Sequence, residues 1–316
     1  MSAGRPVAVY GALVANLAIA AVKFAAAAAT GSSAMLSEGI HSLVDTANQG
    51  LLLVGVRRSR RPADAGHPFG HASELYVWGL FVAVALFGIG GGLAFYEGVS
   101  HLQHPTELTD PGWNYAVLAV AFALDGGSWV LALRELRRAH PGVGLWQAYR
   151  ESADPAVYTV LAEDTADLAG IVLAAAGIAL GHATGSPLWD GLASMAIGVL
   201  LAGISLGLVR TGRGLLTGRA AHPDLVAGVQ RLAQADPAVE RAAVPLTMQL
   251  GPGDVLVNVE LVFRPALSAD DVAAASVRIE AAVREAYPAV GRVFTEAAPR
   301  EPDGAARPPG TPGDRA

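Results

Sequence analysis

The sequence predicts a mainly α-helical membrane protein: six transmembrane helices followed by a small cytosolic α+β domain of order αββαβ. Three observations carry this. Of 316 residues, 52% are hydrophobic, and the mean hydropathy is +0.39. Only 16% are charged, against roughly 25% in soluble globular chains. Apolar stretches long enough to cross a bilayer, about 20 residues each, recur six times before residue 211.

Those stretches run over 7–30, 33–56, 75–100, 113–134, 155–181 and 188–210. The connections sort by charge. The turn at 31–32 and the loops 101–112 and 182–187 hold no Lys or Arg. The opposite side carries Arg57, Arg58, Arg60 and Arg61, then Arg134, Arg137, Arg138 and Arg150, then Arg210, Arg213 and Arg219. Basic residues beside membrane helices stay in the cytoplasm, so both termini are expected there, in a protein of the cell's inner or plasma membrane. The first apolar run is too long for a cleavable signal and lacks a clean cleavage site. With no cysteine, disulfides and thiolate metal sites are excluded. The net charge of −6 gives no sign of nucleic-acid binding.

After Arg219 the composition changes. "HPDLVAGVQRLAQAD" has the pattern of a short amphipathic helix. "RAAVPLTMQL" and "VLVNVELVFR" flank a Gly/Pro/Asp turn and predict two strands. "SADDVAAASVRIEAAVREAYP" opens with Ser268 and, three residues on, Asp271, the spacing of a helix cap. "GRVFTEA" supplies a last strand. A sheet with helices on one face accommodates this order. The expected division is a membrane domain over 1–219, a cytosolic domain over 220–299 and a disordered Pro/Gly-rich tail over 300–316.

Ionisable residues inside spans are costly and mark pathways or buried pairs. In the second span His41 and Asp45 stand one turn apart on one face. The fifth span holds Glu163, Asp164 and Asp167 within an arc of about 100°. Both groups fall near mid-span, so the two helices can bring them together. Up to four carboxylates cannot all ionise in a dry space. Protons, a basic partner or a bound cation must compensate. Imidazole with carboxylate oxygen suits zinc; manganese would prefer more oxygen. Each residue taken singly has an interhelical packing role as its plain alternative.

Other polar residues divide similarly. Lys23, the only lysine, is a counter-charge for Asp125, Glu163 or Glu38 rather than a ligand. Asp125 is either an acid behind the ligands or the partner of Lys23. Asn48 and Gln49 suit packing hydrogen bonds. "GIGGG" over Gly88–Gly92 suits close helix contact; mid-span, with no strand before it, it is no phosphate loop. In the loop after the second span, Asp64, His67 and His71 can chelate a metal, although a pair of loop histidines is also a common incidental feature.

"GSSAMLSEGIHSLVDTANQGLLLVG", "HPFGH" and "EDTADLAG" together resemble the cation diffusion facilitator family, and within it the zinc transporter 9-like branch. The resemblance covers most of the chain. It implies a homodimeric exporter of divalent metal in exchange for protons, with a site built from residue pairs on spans two and five. His41 and Asp45 match the span-two pair. On span five the family's His-then-Asp spacing is absent, and the resemblance ranks Asp164 first, Glu163 second and Asp167 third. It also implies zinc at Asp64, His67 and His71. The family's histidine-rich sensing cluster is missing from the cytosolic domain, whose only histidine is His222.

The expected function is therefore a zinc exporter coupled to protons, its partners being divalent ions, protons, the lipid bilayer and a second copy. Mn²⁺, Fe²⁺ and Co²⁺ are alternative cargoes. A membrane scaffold or regulatory subunit that binds metal without moving it is the rival class. No nucleotide loop, cysteine nucleophile or Ser/His/Asp set supports an enzyme.

Overall fold

The computed structural model describes residues 5–105, 111–139, 142, 144–151 and 155–300. The chain divides between Arg213 and Gly214 into two compact units. In the first, α1 (Arg5–Thr30) and α2 (Ser33–Ser59) are joined by a tight turn. Gly31 closes α1 there at φ 73°, a conformation that an L side chain rarely adopts. Then come α3 (Glu74–Ala85), one π-helical turn (Leu86–Gly91) and α4 (Gly92–Gln103), which together form one continuous span. α5 (Pro111–Ala139), a short α6 (Leu145–Glu151), α7 (Pro155–Thr184) and α8 (Leu188–Leu216) follow.

Four of these stretches have the length and hydropathy to cross a membrane: Glu74–Gln103, Gly112–Arg138, Val157–Thr184 and Leu188–Leu216. Asn16–Thr30 is a shorter apolar helix. α2 falls short because Ser37, Glu38, His41, Ser42, Asp45, Thr46 and Asn48 interrupt its apolar character. It buries most of those side chains against its neighbours. Large apolar groups such as Phe81, Phe87, Ile89, Val120, Leu131 and Val199 point outward instead. So much exposed apolar surface befits contact with lipid. α6 was not foreseen; Ala148 and Tyr149 pack it against Leu136 and Leu161.

The second unit is α9 (Pro223–Ala235), β1 (Val239–Ala242), β2 (Leu246–Gly251), β3 (Asp254–Phe263), α10 (Ala269–Ala286) and β4 (Val290–Ala297). The order is αβββαβ, not the expected αββαβ, and Pro245 is the reason. β1 and β2 pair antiparallel with successive halves of one edge of β3, Ala242 opposite Leu261 and Leu246 opposite Asn258. They occupy the place of one strand, interrupted where proline has no N–H to give the ladder. β4 covers the other edge in parallel. Val255, Val257, Val259 and Leu261 of β3 alternate into a core shared with Val229 and Ala233 of α9 and Ile279 and Val283 of α10. The Ser268 cap forms reciprocally: its hydroxyl accepts the Asp271 N–H at 3.1 Å, and the Asp271 carboxylate accepts the Ser268 N–H at 2.9 Å. The expected tail lies outside the described residues apart from Arg300, which pairs with Glu240 at 2.9 Å.

Candidate metal centre

α2 and α7 run antiparallel and meet along their polar faces. Glu38 lies against Gly170, His41 against Asp167, and Asn48 against Glu163. Helical geometry sets this ladder, since successive contacts on each helix are three, four or seven residues apart.

The central rung is the candidate site. His41 Nε2 lies 3.0 Å from Asp167 Oδ1, and His41 Nδ1 lies 3.6 Å from Asp45 Oδ2. One donor atom from each residue fits within 4.8 Å of the others. His41 is fully buried and the two acids nearly so. Both nitrogens of His41, both oxygens of Asp45 and Oδ1 of Asp167 are buried without a well-aligned hydrogen-bond partner among the described residues. Leaving such groups unmade costs about 1–3 kcal/mol each. Native proteins rarely tolerate several together unless water or an ion completes them. Lone pairs converging from an imidazole and two carboxylates suit a doubly charged cation. A small cavity of ≈ 10 Å³ borders the two acids, lined by Asn16, Ile19, Ser42, Asp45, Asp125 and Asp167.

The other acids of span five face elsewhere. Glu163 is buried one turn away and accepts the Asn48 amide at 2.7 Å. Asp164 is turned toward α5, where the Ser128 hydroxyl donates to it at 2.9 Å. Asp167, ranked last of the three, is the one the fold brings to His41. Of the three partners offered to Lys23, the ammonium takes Glu38, at 3.0 Å, and also donates to Ser42 at 2.8 Å. Both charges are wholly buried. A Cβ on Gly170 would lie 2.4 Å from Glu38 Oε1. A larger residue there would force the Glu38 carboxylate to shift. Asp125 is not hydrogen-bonded to Lys23; it lines the cavity.

The loop residues also converge. Asp64, His67 and His71 offer donor atoms within 4.8 Å of one another. Asp64 Oδ1 accepts the N–H groups of His67 and Gly66 at 2.7 and 2.9 Å. The His67 backbone bond, above all, holds the Asp64 carboxyl below the usual range. His71 Nδ1 lies 3.2 Å from the Pro62 carbonyl. As the N–H tautomer it donates there and turns a lone-pair Nε2 to Asp64, 3.5 Å away. The imidazole rings lie 4.2 Å apart.

Residues 9–217 match the family model for the cation efflux transmembrane domain. The chain belongs to the cation efflux family. Among its relatives, the human proton-coupled zinc antiporter SLC30A9, mitochondrial, is 37% identical over 243 residues, 76% of this chain and 43% of that protein. Metal tolerance protein C4 of Arabidopsis thaliana is 30% identical over 256 residues, covering 80% of this chain and 56% of the relative. The cation-efflux pump FieF of Escherichia coli O1:K1 / APEC is 38% identical over 122 residues, 35% of this chain and 40% of the pump. The chain thus spans about half the length of these relatives or less. As a cation efflux protein it sits among transporters rather than enzymes. The antiporter's mitochondrial name lends no support to the expected plasma-membrane location.

Proposed function

We propose that this cation efflux protein exports a divalent metal, zinc foremost, in exchange for protons, with His41, Asp45 and Asp167 as its carrier site. The observation behind this reading is the convergence of their unpaired donor atoms between two antiparallel helices. Zinc is favoured by the imidazole–carboxylate donor set, and relatives are named as zinc antiporters. Manganese, iron and cobalt are the rival cargoes. Asp64, His67 and His71 form a second, surface site for the same class of ion.

On this reading α1, α2, α3–α4, α5, α7 and α8 are six spans, and the arginine-rich side with both termini is cytoplasmic. α2 can cross because its polar face is covered by neighbouring helices. Residues 1–219 are the membrane domain. Residues 220–299 dimerise, as the family resemblance implies.

Charge balance gives the mechanism. Lys23 offsets Glu38, and with neutral His41 the carboxylates of Asp45 and Asp167 leave two negative charges for a dication. The donors bind metal only when deprotonated. Imidazole titrates in the physiological range, so protons arriving from the release side compete with the ion for His41 and its acids. The test is zinc-driven proton flux in proteoliposomes. Wild-type protein should support it and Asp45→Asn should abolish it. No flux with wild type, or undiminished flux with the variant, would sink the reading.

A further inference from the structure

Asp190, in the first turn of α8, is fully buried yet belongs to neither metal cluster. Its carboxylate closes the N-terminus of α2. It accepts the Ser32 hydroxyl and the Ser33 N–H at 2.6 Å, the Ser33 hydroxyl at 3.0 Å and the Ala34 N–H at 3.2 Å. A negative charge at the first amides of a helix is well placed both for hydrogen bonding and for the helix dipole. His101 Nε2, at the end of α4, lies 3.9 Å from the same carboxylate. One turn further along α2, the Ser37 hydroxyl contacts Ser194 of α8, and Ser194 donates onward to the Ala94 carbonyl of α4 at 2.9 Å.

α8 and α4 are fused by backbone contact. A Cβ on Gly98 would lie 2.6 Å from the Met195 nitrogen and 2.7 Å from the Gly191 carbonyl oxygen. One on Gly91 would lie 3.1 Å from the Gly198 carbonyl oxygen. Such packing leaves no slack for the two helices to slide separately. Asp190 and Ser194 therefore join α2 to a rigid pair.

These links sit on one side of the carrier site. Ser37 precedes His41 by one helical turn, about 6 Å, and Ser33 by about 12 Å. A small pocket lined by Asn16, Ile19, Ser42, Asp45, Asp125 and Asp167 lies at the site itself. A carrier must expose its site to each side in turn, so helix contacts on each side of the site have to part.

We infer that Asp190 and the Ser37–Ser194 contact form a latch that closes the metal path on the N-terminal side of α2. The latch parts in every transport cycle. Asp190 is thus a positioning residue, acting through α2 on a site it never touches. The inference rests on the exporter reading.

The chain has no cysteine, so Ser37→Cys/Ser194→Cys introduces one defined pair. Bridged by mild oxidation, with the bond verified by mass, it should lose zinc flux in proteoliposomes by about tenfold or more. Zinc binding by calorimetry should be unchanged, and reduction should restore the flux. Each single-cysteine variant should show the same flux before and after the oxidation step. A bridged protein that transports as fast as its reduced form overturns the latch while leaving the exporter reading intact. Absence of flux in wild-type protein overturns the exporter reading, and the latch with it. A second variant needs no bridge. In Ser37→Cys protein, adding Asp190→Asn should speed labelling by a membrane-impermeant maleimide with zinc affinity retained. Unchanged labelling overturns the assignment of Asp190.

Discussion

His41 Nε2 and Asp167 Oδ1 face each other at 3.0 Å across the contact of α2 with α7, without the alignment of a good hydrogen bond. An imidazole and a carboxylate this close, with the buried oxygens of Asp45 beside them, are the geometry on which the proposed carrier site rests. From this relation the roles of the span-five acids separate.

Asp167→Asn and Asp45→Asn should each weaken zinc binding at the membrane site by about 100-fold or more. Even residues that only support metal ligands cost about 10–100-fold when removed. Asp164→Asn, whose carboxylate is engaged by Ser128, should weaken binding far less. Isothermal titration in detergent, with His67→Ala/His71→Ala removing the loop site, makes the comparison. Equal losses for Asp164 and Asp167 would contradict the geometry.

Lys23→Met should lower the thermal stability of the purified protein sharply. It leaves Glu38 buried without its counter-charge, and breaking such a pair costs about 3–5 kcal/mol. Lys23→Met/Glu38→Gln should recover much of the loss, because it removes both charges. A double variant as unstable as the single would show that the pair is not the source.

Asp64→Ala should remove the loop site alone. It deletes a ligand and also the acceptor that shapes the turn at Gly66 and His67. Zinc bound per chain, counted by elemental analysis, should fall by one site, and binding at His41 should persist. Loss of all bound zinc would mean the two clusters are not independent.

In the second unit, hydrogen bonds from Arg278, at 2.9 and 3.0 Å, hold the Asp236 carboxyl below its ordinary range. A carboxyl with a lowered folded value stabilises the fold fully above the unfolded range, roughly pH 4. That contribution fades as pH falls through the folded value. Protection factors for hydrogen exchange at the α9–α10 contact should therefore fall below about pH 4 in wild-type protein. Arg278→Gln, already without the pair, should show a shallower dependence.

Much of this was legible in the chain. The His41–Asp45 spacing is local to one helix, and so is the Ser268–Asp271 cap. Helical angles placed Glu163, Asp164 and Asp167 in one arc but could not choose among them. That choice is made by Asn48 of α2 and Ser128 of α5, distant in sequence. The strand broken at Pro245 could have been foreseen, because proline cannot donate to a ladder. Asp190 gave no signal at all: its partners lie more than 150 residues away.

The most direct test is an anomalous difference map at the zinc edge from zinc-loaded crystals. The account predicts a peak between His41, Asp45 and Asp167, within bonding distance of all three. A peak bound instead by Glu163 and Asp164, or zinc at the loop alone, would contradict it.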